Sequence, residues 1–240
     1  MPRMNAVGAE VVLYDGNEKL KIEDIEKKLG TYKAEIVLGE LTKELTDSSE
    51  LLVISPGVPI DSPVVKAFEA AGVPVWGEVE LAYAFDKGKV LAITGTNGKT
   101  TTTALVGQIV GAYHKDTFVV GNIGNPYTTE VLKSNKDSYT VAEISSFQLE
   151  TVHEFHPLVS AILNITPDHL DRHHTMEAYI RAKESITKCQ TKEDTCVLNY
   201  EDEILRKFAE TLKVNVLFFS SKRPLEEGIY LQENTIWIAG

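Results

Sequence analysis

Short apolar runs alternate with charged, helix-like stretches along the first third of the chain. The stretches at residues 20–29 and 63–71 have amphipathic patterns that predict helices, and Pro63 opens the second of them at its first turn. Strands and helices that alternate in this way favour a parallel sheet covered by helices. The predicted strands of this part are residues 10–15, 36–38, 51–54 and 73–76.

The alternation breaks near residues 86–88 and then restarts. We therefore predict an α/β fold in two domains, residues 1–88 and residues 89–240. The strands predicted for the second domain are 89–93, 117–120, 138–144, 158–163, 196–198 and 214–219, followed by a hairpin at 228–238 that turns near Glu233 and Asn234.

The segment I-T-G-T-N-G-K-T-T-T, residues 93–102, joins a predicted strand to a predicted helix. Backbone N–H groups and the positive end of the helix would face a phosphate there. Lys99 would add a positive charge, and the Thr100 hydroxyl could bind a phosphate-bound Mg²⁺. The sequence therefore predicts a nucleoside triphosphate site, with the phosphate-binding residues Gly95, Thr96, Asn97, Gly98, Lys99, Thr100 and Thr101.

This loop departs from the common phosphate-loop pattern, which has a glycine where this chain has Ile93. The alternative is an ordinary helix capped by Thr96 or Asn97, with a lysine on its surface. The apolar strand before the loop and the helix after it favour the phosphate site.

Both ends of the chain look incomplete in sequence. The first strand ends in Asp15, as does the second strand of a nucleotide-binding βαβ unit, where an acid meets a ribose. The glycine-rich turn expected before it is missing, since only Gly8 stands there, and the chain stops at Gly240 directly after a strand. We therefore expect a truncated chain, with a partial Rossmann-like N-terminal domain and an incomplete P-loop ATPase domain whose sheet is mostly parallel.

The net charge of −11 argues against nucleic acid as a partner, because phosphate backbones attract basic surfaces. An acidic protein that binds phosphate must gather cations locally, and Lys99, a helix N-terminus and Mg²⁺ are the available means. No stretch has the apolar length of a membrane span and no signal-peptide core is present, so we expect a cytoplasmic protein without a membrane partner. Cys189 and Cys196 are expected to be free thiols.

Polar side chains follow two other predicted strands. Asn122 could hydrogen-bond a polar substrate, although an ordinary turn is the alternative at this position. Glu143 ends an apolar strand, where an acid is costly unless it is paired or binds a metal such as Mg²⁺. The alternative for Glu143 is a partly exposed acid at the edge of the sheet.

The segment 164–174 follows a further strand and is rich in possible ligands. His169 could coordinate a divalent metal as a neutral imidazole. His173 and His174 are predicted to cap or precede the next helix, for which Thr175 is the predicted N-cap. Lys183 in that helix, considered alone, is expected to be a solvated lysine.

Four segments together resemble the Mur ligase family, over almost all of the chain. The phosphate loop G-T-N-G-K-T-T-T is similar to that of the whole Mur and folylpolyglutamate ligase superfamily. Three further segments resemble the members that add D-glutamate: S-P-G-V-P-I-D-S-P from residue 55, E-I-S-S-F-Q-L-E from residue 143 and N-I-T-P-D-H-L-D-R from residue 164.

The resemblance implies three domains and a role for each matching residue. Lys99 and the loop amides would hold the ATP phosphates, Thr100 and Glu143 one Mg²⁺, and His169 a second. Lys183 resembles the family's carbamylated lysine, which would face the metal side as a carboxylate. The implied catalytic residues are thus Lys99, Glu143, His169 and Lys183; Asn122, Ser145 and Gln148 match the muramoyl site, and Asp15, Ser55, Pro56 and Gly57 match the uridine diphosphate site.

The implied reaction is ATP-dependent amide formation through an acyl phosphate, adding D-glutamate to UDP-N-acetylmuramoyl-L-alanine for peptidoglycan synthesis. The expected partners are these small molecules, and a monomer is expected. Because the third domain is expected to be absent, we predict that this chain binds but does not complete catalysis alone. The alternatives are another Mur or folylpolyglutamate-type ligase and a stand-alone P-loop NTPase.

Overall fold

A computed structural model describes Met4 and residues 7–240. Residues 1–3, 5 and 6, part of the terminus predicted to lack a signal peptide, lie outside the described residues. The chain divides into a smaller unit, Met1–Leu52 with Asp61–Pro74, and a larger unit, Val53–Ile60 with Val75–Gly240. In the described part, none of the helices combines the length and apolarity needed to cross a membrane.

The smaller unit contains a parallel pair of strands, β1 and β2, in which Leu13 is paired with Ile36. Thr42 and Ser62 cap the two helices that follow, because each side chain accepts a hydrogen bond from a backbone N–H of the first turn. The predicted strands and helices of this part are confirmed. Its elements are β1 (Val12–Asp15), α1 (Ile22–Leu29), β2 (Glu35–Leu38), α2 (Lys43–Ser48) and α3 (Pro63–Ala70).

The first elements of the larger unit are two short strands and a helix. The strand β3 (Leu52–Ile54) starts at the boundary and pairs with β4 (Val75–Gly77) in a separate two-stranded sheet. The helix α4 (Glu78–Tyr83) follows β4 directly. The predicted strands 51–54 and 73–76 are thereby confirmed.

An eight-stranded sheet forms the centre of the larger unit, in the order β12-β11-β10-β9-β8-β5-β7-β6. Every pairing in it is parallel except that of β11 with β12, so the predicted mostly parallel α/β fold is confirmed. Its strands are β5 (Lys89–Thr94), β6 (Thr117–Gly121), β7 (Tyr139–Glu143), β8 (Val159–Ile162), β9 (Thr195–Asn199), β10 (Asn215–Ser220), β11 (Gly228–Gln232) and β12 (Thr235–Ala239).

The connecting helices lie on both faces of this sheet. They are α5 (Lys99–Tyr113), α6 (Tyr127–Glu130), α7 (Ser146–Leu149), α8 (Leu170–His173), α9 (Met176–Glu184) and α10 (Glu203–Ala209). The predicted hairpin is also confirmed: β11 and β12 are joined by Glu233 and Asn234, with φ of 49° and 59°. Two left-handed residues give the turn a twist that matches the flanking strands.

Side chains from successive strand residues point to opposite faces, and the two faces carry cores of different size. Ala92 faces the main core, where α4, α6, α7, α9 and α10 contribute buried side chains such as Tyr127 and Tyr179. Ile93 faces the smaller core, where it packs with Val106 and Val110 of α5. The central strand β5 is thus buried on both sides, and the loop that follows it has a rigid support.

Candidate active site

The loop after β5 leaves the start of α5 open. Gly98, at φ 84°, is the N-cap of α5 and provides no side-chain hydrogen bond to the first turn. The left-handed backbone there favours glycine, because a side chain would be strained. The alternative of a cap at Thr96 or Asn97 is therefore wrong. The first backbone N–H groups of this 15-residue helix have no partner within the helix, as an anion site requires.

A second loop holds the phosphate loop in shape. The side chain of Asn164 forms two bonds with the backbone of Asn97: its Oδ1 accepts from the N–H at 2.8 Å, and its Nδ2 donates to the carbonyl at 2.9 Å. The Thr96 hydroxyl accepts from the Thr166 N–H at 3.0 Å and lies 3.0 Å from the Tyr179 hydroxyl. The loop is thus fixed by residues some 70 positions later in the chain.

Two lysine amines donate to the same carbonyl oxygen. Lys99 Nζ lies 3.0 Å from the Gly95 oxygen and 2.9 Å from that of Thr96, and Lys183 Nζ lies 2.8 Å from the Gly95 oxygen. Lys183 is only 2% exposed, so its interpretation as a solvated lysine is wrong. Burial, reinforced by the charge of Lys99 and opposed by Asp168, lowers the pKa of Lys183 from its usual 10.5 to about 7.

Glu143 ends β7 next to this loop and is buried, so the alternative of an exposed edge acid is also wrong. Its Oε1 accepts a hydrogen bond from Asn122 Nδ2 at 2.8 Å, while its Oε2 is buried with no hydrogen-bond partner in the described part of the chain. A buried carboxylate oxygen without a donor is costly unless a cation binds it. Glu143 therefore fits a Mg²⁺ ligand.

The other predicted metal residues are more exposed. Thr100 is exposed in the first turn of α5 together with Thr101. His169 is left-handed, at φ 51°, and its ring lies 4.9 Å from that of Phe147. Within the described residues, no three His, Cys, Asp or Glu side chains are grouped closely enough to hold a metal. A cation here would need oxygen ligands from a hydroxyl, a phosphate or water as well.

A cavity of about 360 Å³ brings seven of the predicted site residues together. Its wall also contains four residues that were not among the predicted site residues: Ser146, Phe147, Asp168 and Tyr179. Lysines, a histidine and polar groups thus converge on one concave space, as binding sites require. The predicted site residues that line it are Pro56, Gly57, Lys99, Asn122, Ser145, His169 and Lys183.

The remaining predicted substrate residues are placed differently. Gln148 is buried, and its Oε1 accepts from the N–H and the hydroxyl of Ser145, at 2.9 and 3.0 Å, in a capping box that starts α7. Ser55 is exposed, and its carbonyl accepts from the Val58 N–H at 2.9 Å. Asp15 belongs to the smaller unit, where it is exposed and its Oδ1 accepts from the Asn17 N–H.

His173 and His174 precede the helix that Thr175 caps, as predicted, but His173 also ends the short helix α8 and is buried. Its Nε2 lies 2.9 Å from the Ser146 hydroxyl, and its Nδ1 lies 3.2 Å from Glu150 Oε1. Burial, with the charge of Arg172 next in importance, lowers the pKa of His173. Thr175 caps α9 as predicted, since its hydroxyl accepts from the Ala178 N–H at 3.1 Å.

Two protein-family models match the sequence of this chain. The family model of the Mur ligase middle domain matches residues 93–235, which is more than half of the chain. The model of the MurD-like N-terminal domain of Mur ligases matches residues 4–77. The matched middle domain contains all of the cavity residues except Pro56 and Gly57, which the N-terminal match includes.

Among curated proteins, the UDP-N-acetylmuramoylalanine–D-glutamate ligase of Lachnospira eligens is 66% identical over 97% of this chain and 52% of its own length. The enzyme of the same name from Lachnoclostridium phytofermentans is 60% identical over 95% of this chain and 51% of its own length. The one from Clostridioides difficile is 45% identical over 98% and 52%. The chain spans about half the length of these relatives.

Two solved structures share the fold at low sequence identity. The UDP-N-acetylmuramate:L-alanyl-γ-D-glutamyl-meso-diaminopimelate ligase of Neisseria meningitides has a TM-score of 0.57 at 17% identity, covering 98% of this chain and 78% of its own. MurF of Acinetobacter baumannii has a TM-score of 0.54 at 20% identity, covering 95% and 49%. At these identities the similarity concerns the fold alone.

Proposed function

Because the chain belongs to the Mur ligase family, we propose that it forms the nucleotide-binding part of an ATP-dependent ligase that adds D-glutamate to UDP-N-acetylmuramoyl-L-alanine. The choice of substrates rests on the names of the relatives that are 66% and 60% identical over nearly all of this chain. The choice of ATP rests on the phosphate loop. The product would be a precursor of peptidoglycan.

The observation that carries this proposal is the start of α5, where an uncapped helix N-terminus and two lysine amines surround one short loop. The helix end and Lys99 would bind and neutralise the phosphates of ATP. Lys99 now donates to the loop's own carbonyls, so it would exchange those partners for phosphate oxygens. Preorganised positive charge of this kind supplies most of the catalysis of phosphoryl transfer.

The proposed reaction has two steps. An oxygen of the substrate carboxylate attacks the γ-phosphorus of ATP. The bond from this phosphorus to the β–γ bridging oxygen breaks, so that ADP departs and the substrate becomes an acyl phosphate. The amine of D-glutamate then attacks the acyl carbon, loses a proton, and expels inorganic phosphate to give the amide. The chain's own groups act by holding the carboxylate and phosphates together in the cavity and by shielding their charge.

Mg²⁺ would be held by Thr100 and Glu143, with His169 at a second ion, and when bound it would offset the charge on the phosphates. This assignment is supported by Glu143 Oε2, which is buried and has no hydrogen-bond partner among the residues that the structure describes. Lys183 would be carbamylated: its neutral amine adds to CO₂, giving a carbamate and releasing a proton. A pKa of about 7 supports this step, because only the neutral amine reacts.

Two measurements test the proposal. Phosphate release by the complete gene product should require both UDP-N-acetylmuramoyl-L-alanine and D-glutamate, whereas release with another amino acid, or with ATP alone, would contradict it. Calorimetry on the chain itself should detect binding of Mg–ATP and of the UDP-sugar. We also propose a cytoplasmic monomer and a domain boundary at residue 88. The residues proposed to bind the substrate are Asn122, Ser145, Gln148, Asp15 and Ser55.

A further inference from the structure

One guanidinium group joins two segments beside the cavity. Arg172 Nη2 donates to Glu150 Oε2 at 2.8 Å and to the Val58 carbonyl at 3.1 Å. Its guanidinium carbon also lies 4.7 Å from the centre of the Phe147 ring. The side chains of Arg172 and Glu150 are only 14% and 8% exposed, so this contact is largely shielded from water.

The Val58 carbonyl belongs to the loop that follows β3. Within this loop, the Val58 N–H closes a turn by donating to the Ser55 carbonyl at 2.9 Å. Pro56 and Gly57, between these two residues, line the cavity. The bond from Arg172 reaches this turn from a residue more than a hundred positions later, so it can fix where the turn stands at the cavity wall.

Glu150, the partner of Arg172, also contacts a residue that leads to another part of the cavity wall. Glu150 Oε1 lies 3.2 Å from His173 Nδ1, and His173 Nε2 lies 2.9 Å from the hydroxyl of Ser146, which also lines the cavity. One buried carboxylate therefore orients Arg172 toward the loop and His173 toward α7. A charged group that receives donors from two side chains holds both in a single geometry.

We propose that Arg172 is a positioning residue, which holds the Ser55–Val58 turn against the cavity and thereby shapes the wall that receives the UDP-sugar. The identity of that ligand rests on the proposed function. Arginine suits this task because its planar fork can reach a carboxylate and a carbonyl while its face stacks on an aromatic ring. A lysine in its place keeps the positive charge beside Glu150 but cannot make all three contacts at once.

Hydrogen exchange on the chain tests the anchoring without any ligand. In Arg172→Lys, the amide of Val58, which closes the turn, should exchange about ten-fold faster, the change expected from loss of one buried hydrogen bond to a charged group. Amides of α5 should keep their protection. The matched control is Arg181→Lys, the same change at an exposed arginine of α9, which should leave the turn unaffected. Unchanged exchange in Arg172→Lys would overturn the proposal.

Calorimetry then tests the consequence for ligands. The affinity of Arg172→Lys for UDP-N-acetylmuramoyl-L-alanine should fall about ten-fold, while its affinity for Mg–ATP stays within about two-fold. General loss of structure would lower both affinities, so the split distinguishes positioning from instability. Faster exchange with an unchanged UDP-sugar affinity would overturn the role of the turn. If the unsubstituted chain fails to bind the UDP-sugar, the proposed function fails, and the exchange experiment still decides the anchoring.

Discussion

The helices α5 and α9 deliver a lysine amine to the same carbonyl oxygen, that of Gly95, but they prepare it in different ways. The helix α5 starts at an uncapped, left-handed glycine, with Lys99 in its first turn. The helix α9 starts at Thr175, whose side chain caps it, and Lys183 lies in its last turn. The start of α5 thus has no side-chain cap, whereas the start of α9 is capped.

The two lysine amines also differ in their exposure to solvent. Lys99 is partly exposed and donates hydrogen bonds to two loop carbonyls. Phosphate oxygens could replace these carbonyls as its partners. Lys183 is buried beneath that loop, 4.7 Å from the centre of the Tyr179 ring, and its charge is destabilised there. The comparison teaches that position relative to solvent, rather than residue type, separates the chemistry of the two lysines: the proposed phosphate ligand keeps its charge near solvent, whereas the lysine proposed for carbamylation has a depressed pKa in the interior.

The largest expected effect is a pH dependence from Lys183. Its pKa is depressed to about 7 on folding, so above pH 7 the unfolded state binds more protons than the folded state. The free energy of unfolding should therefore rise by about 1.4 kcal/mol per pH unit between pH 7 and 10. Below pH 7 the Lys183 amine is charged in both states, so the destabilisation from burying its charge should be fully present. Urea unfolding in CO₂-free buffer, followed by the fluorescence of Trp76 and Trp237, measures this for the larger unit.

The control for this prediction is Lys183→Met, which removes the titrating amine and should abolish that slope. Lys192→Met, the same change at an exposed lysine, should leave it in place. Identical pH slopes in the unsubstituted chain and in Lys183→Met would show that the amine is not destabilised by burial.

The next effect concerns the open helix end. Lys99→Met removes the positive charge facing the phosphates, so the affinity for Mg–ATP should fall at least about 100-fold, the range for losing a charge-assisted contact. Calorimetry measures it, with Lys192→Met as the control. An affinity within a few-fold of the unsubstituted chain would contradict the assignment of this loop to phosphate.

A smaller effect is expected from Asn164, whose side chain holds the loop through the backbone of Asn97. Asn164→Ala removes both bonds to the Asn97 backbone and should weaken Mg–ATP binding about ten-fold, with a loss of about 1–3 kcal/mol in stability. The control is Asn215→Ala, which loses a single exposed bond to the Lys192 carbonyl. Equal effects of the two substitutions would argue against a special role for Asn164.

The smallest effect separates the two helix starts. Thr175→Ala should cost about 1 kcal/mol of stability through loss of the cap, while the Mg–ATP affinity changes by less than about two-fold. Thr175→Ser retains a capping hydroxyl and should restore most of the stability. A large change in nucleotide affinity would show that the capped helix end also affects the ligand.

Local pattern was sufficient for much of this molecule. Residues close together in sequence predicted the strands, the long helix after the phosphate loop and the Thr175 cap. They also predicted the turn at Glu233 and Asn234. The phosphate loop was recognisable for the same reason, because its glycines and Lys99 are consecutive. The start of α5 agrees with the interpretation that the sequence favoured, since Gly98 rather than the side chain of Thr96 or Asn97 begins that helix.

The contacts between distant segments could not be predicted. The sequence favoured a solvated Lys183 and gave no sign that His173 is buried, yet both side chains are buried, and Lys183 lines the cavity. Asn164 gave no signal of its own, because its partners are the backbone groups of a loop 67 positions earlier. Resemblance to a family directed attention to Lys183, but only three-dimensional packing accounts for its depressed pKa.

The sequence by itself determined the secondary structure, the parallel α/β fold and the phosphate loop, because short-range hydrophobic periodicity and turn chemistry specify all three. The tertiary structure alone decided which amine is buried, which carboxylate oxygen lacks a donor and which loop is braced by Arg172. Those properties depend on solvent exclusion and on hydrogen bonds between residues far apart in sequence, and a linear pattern contains neither.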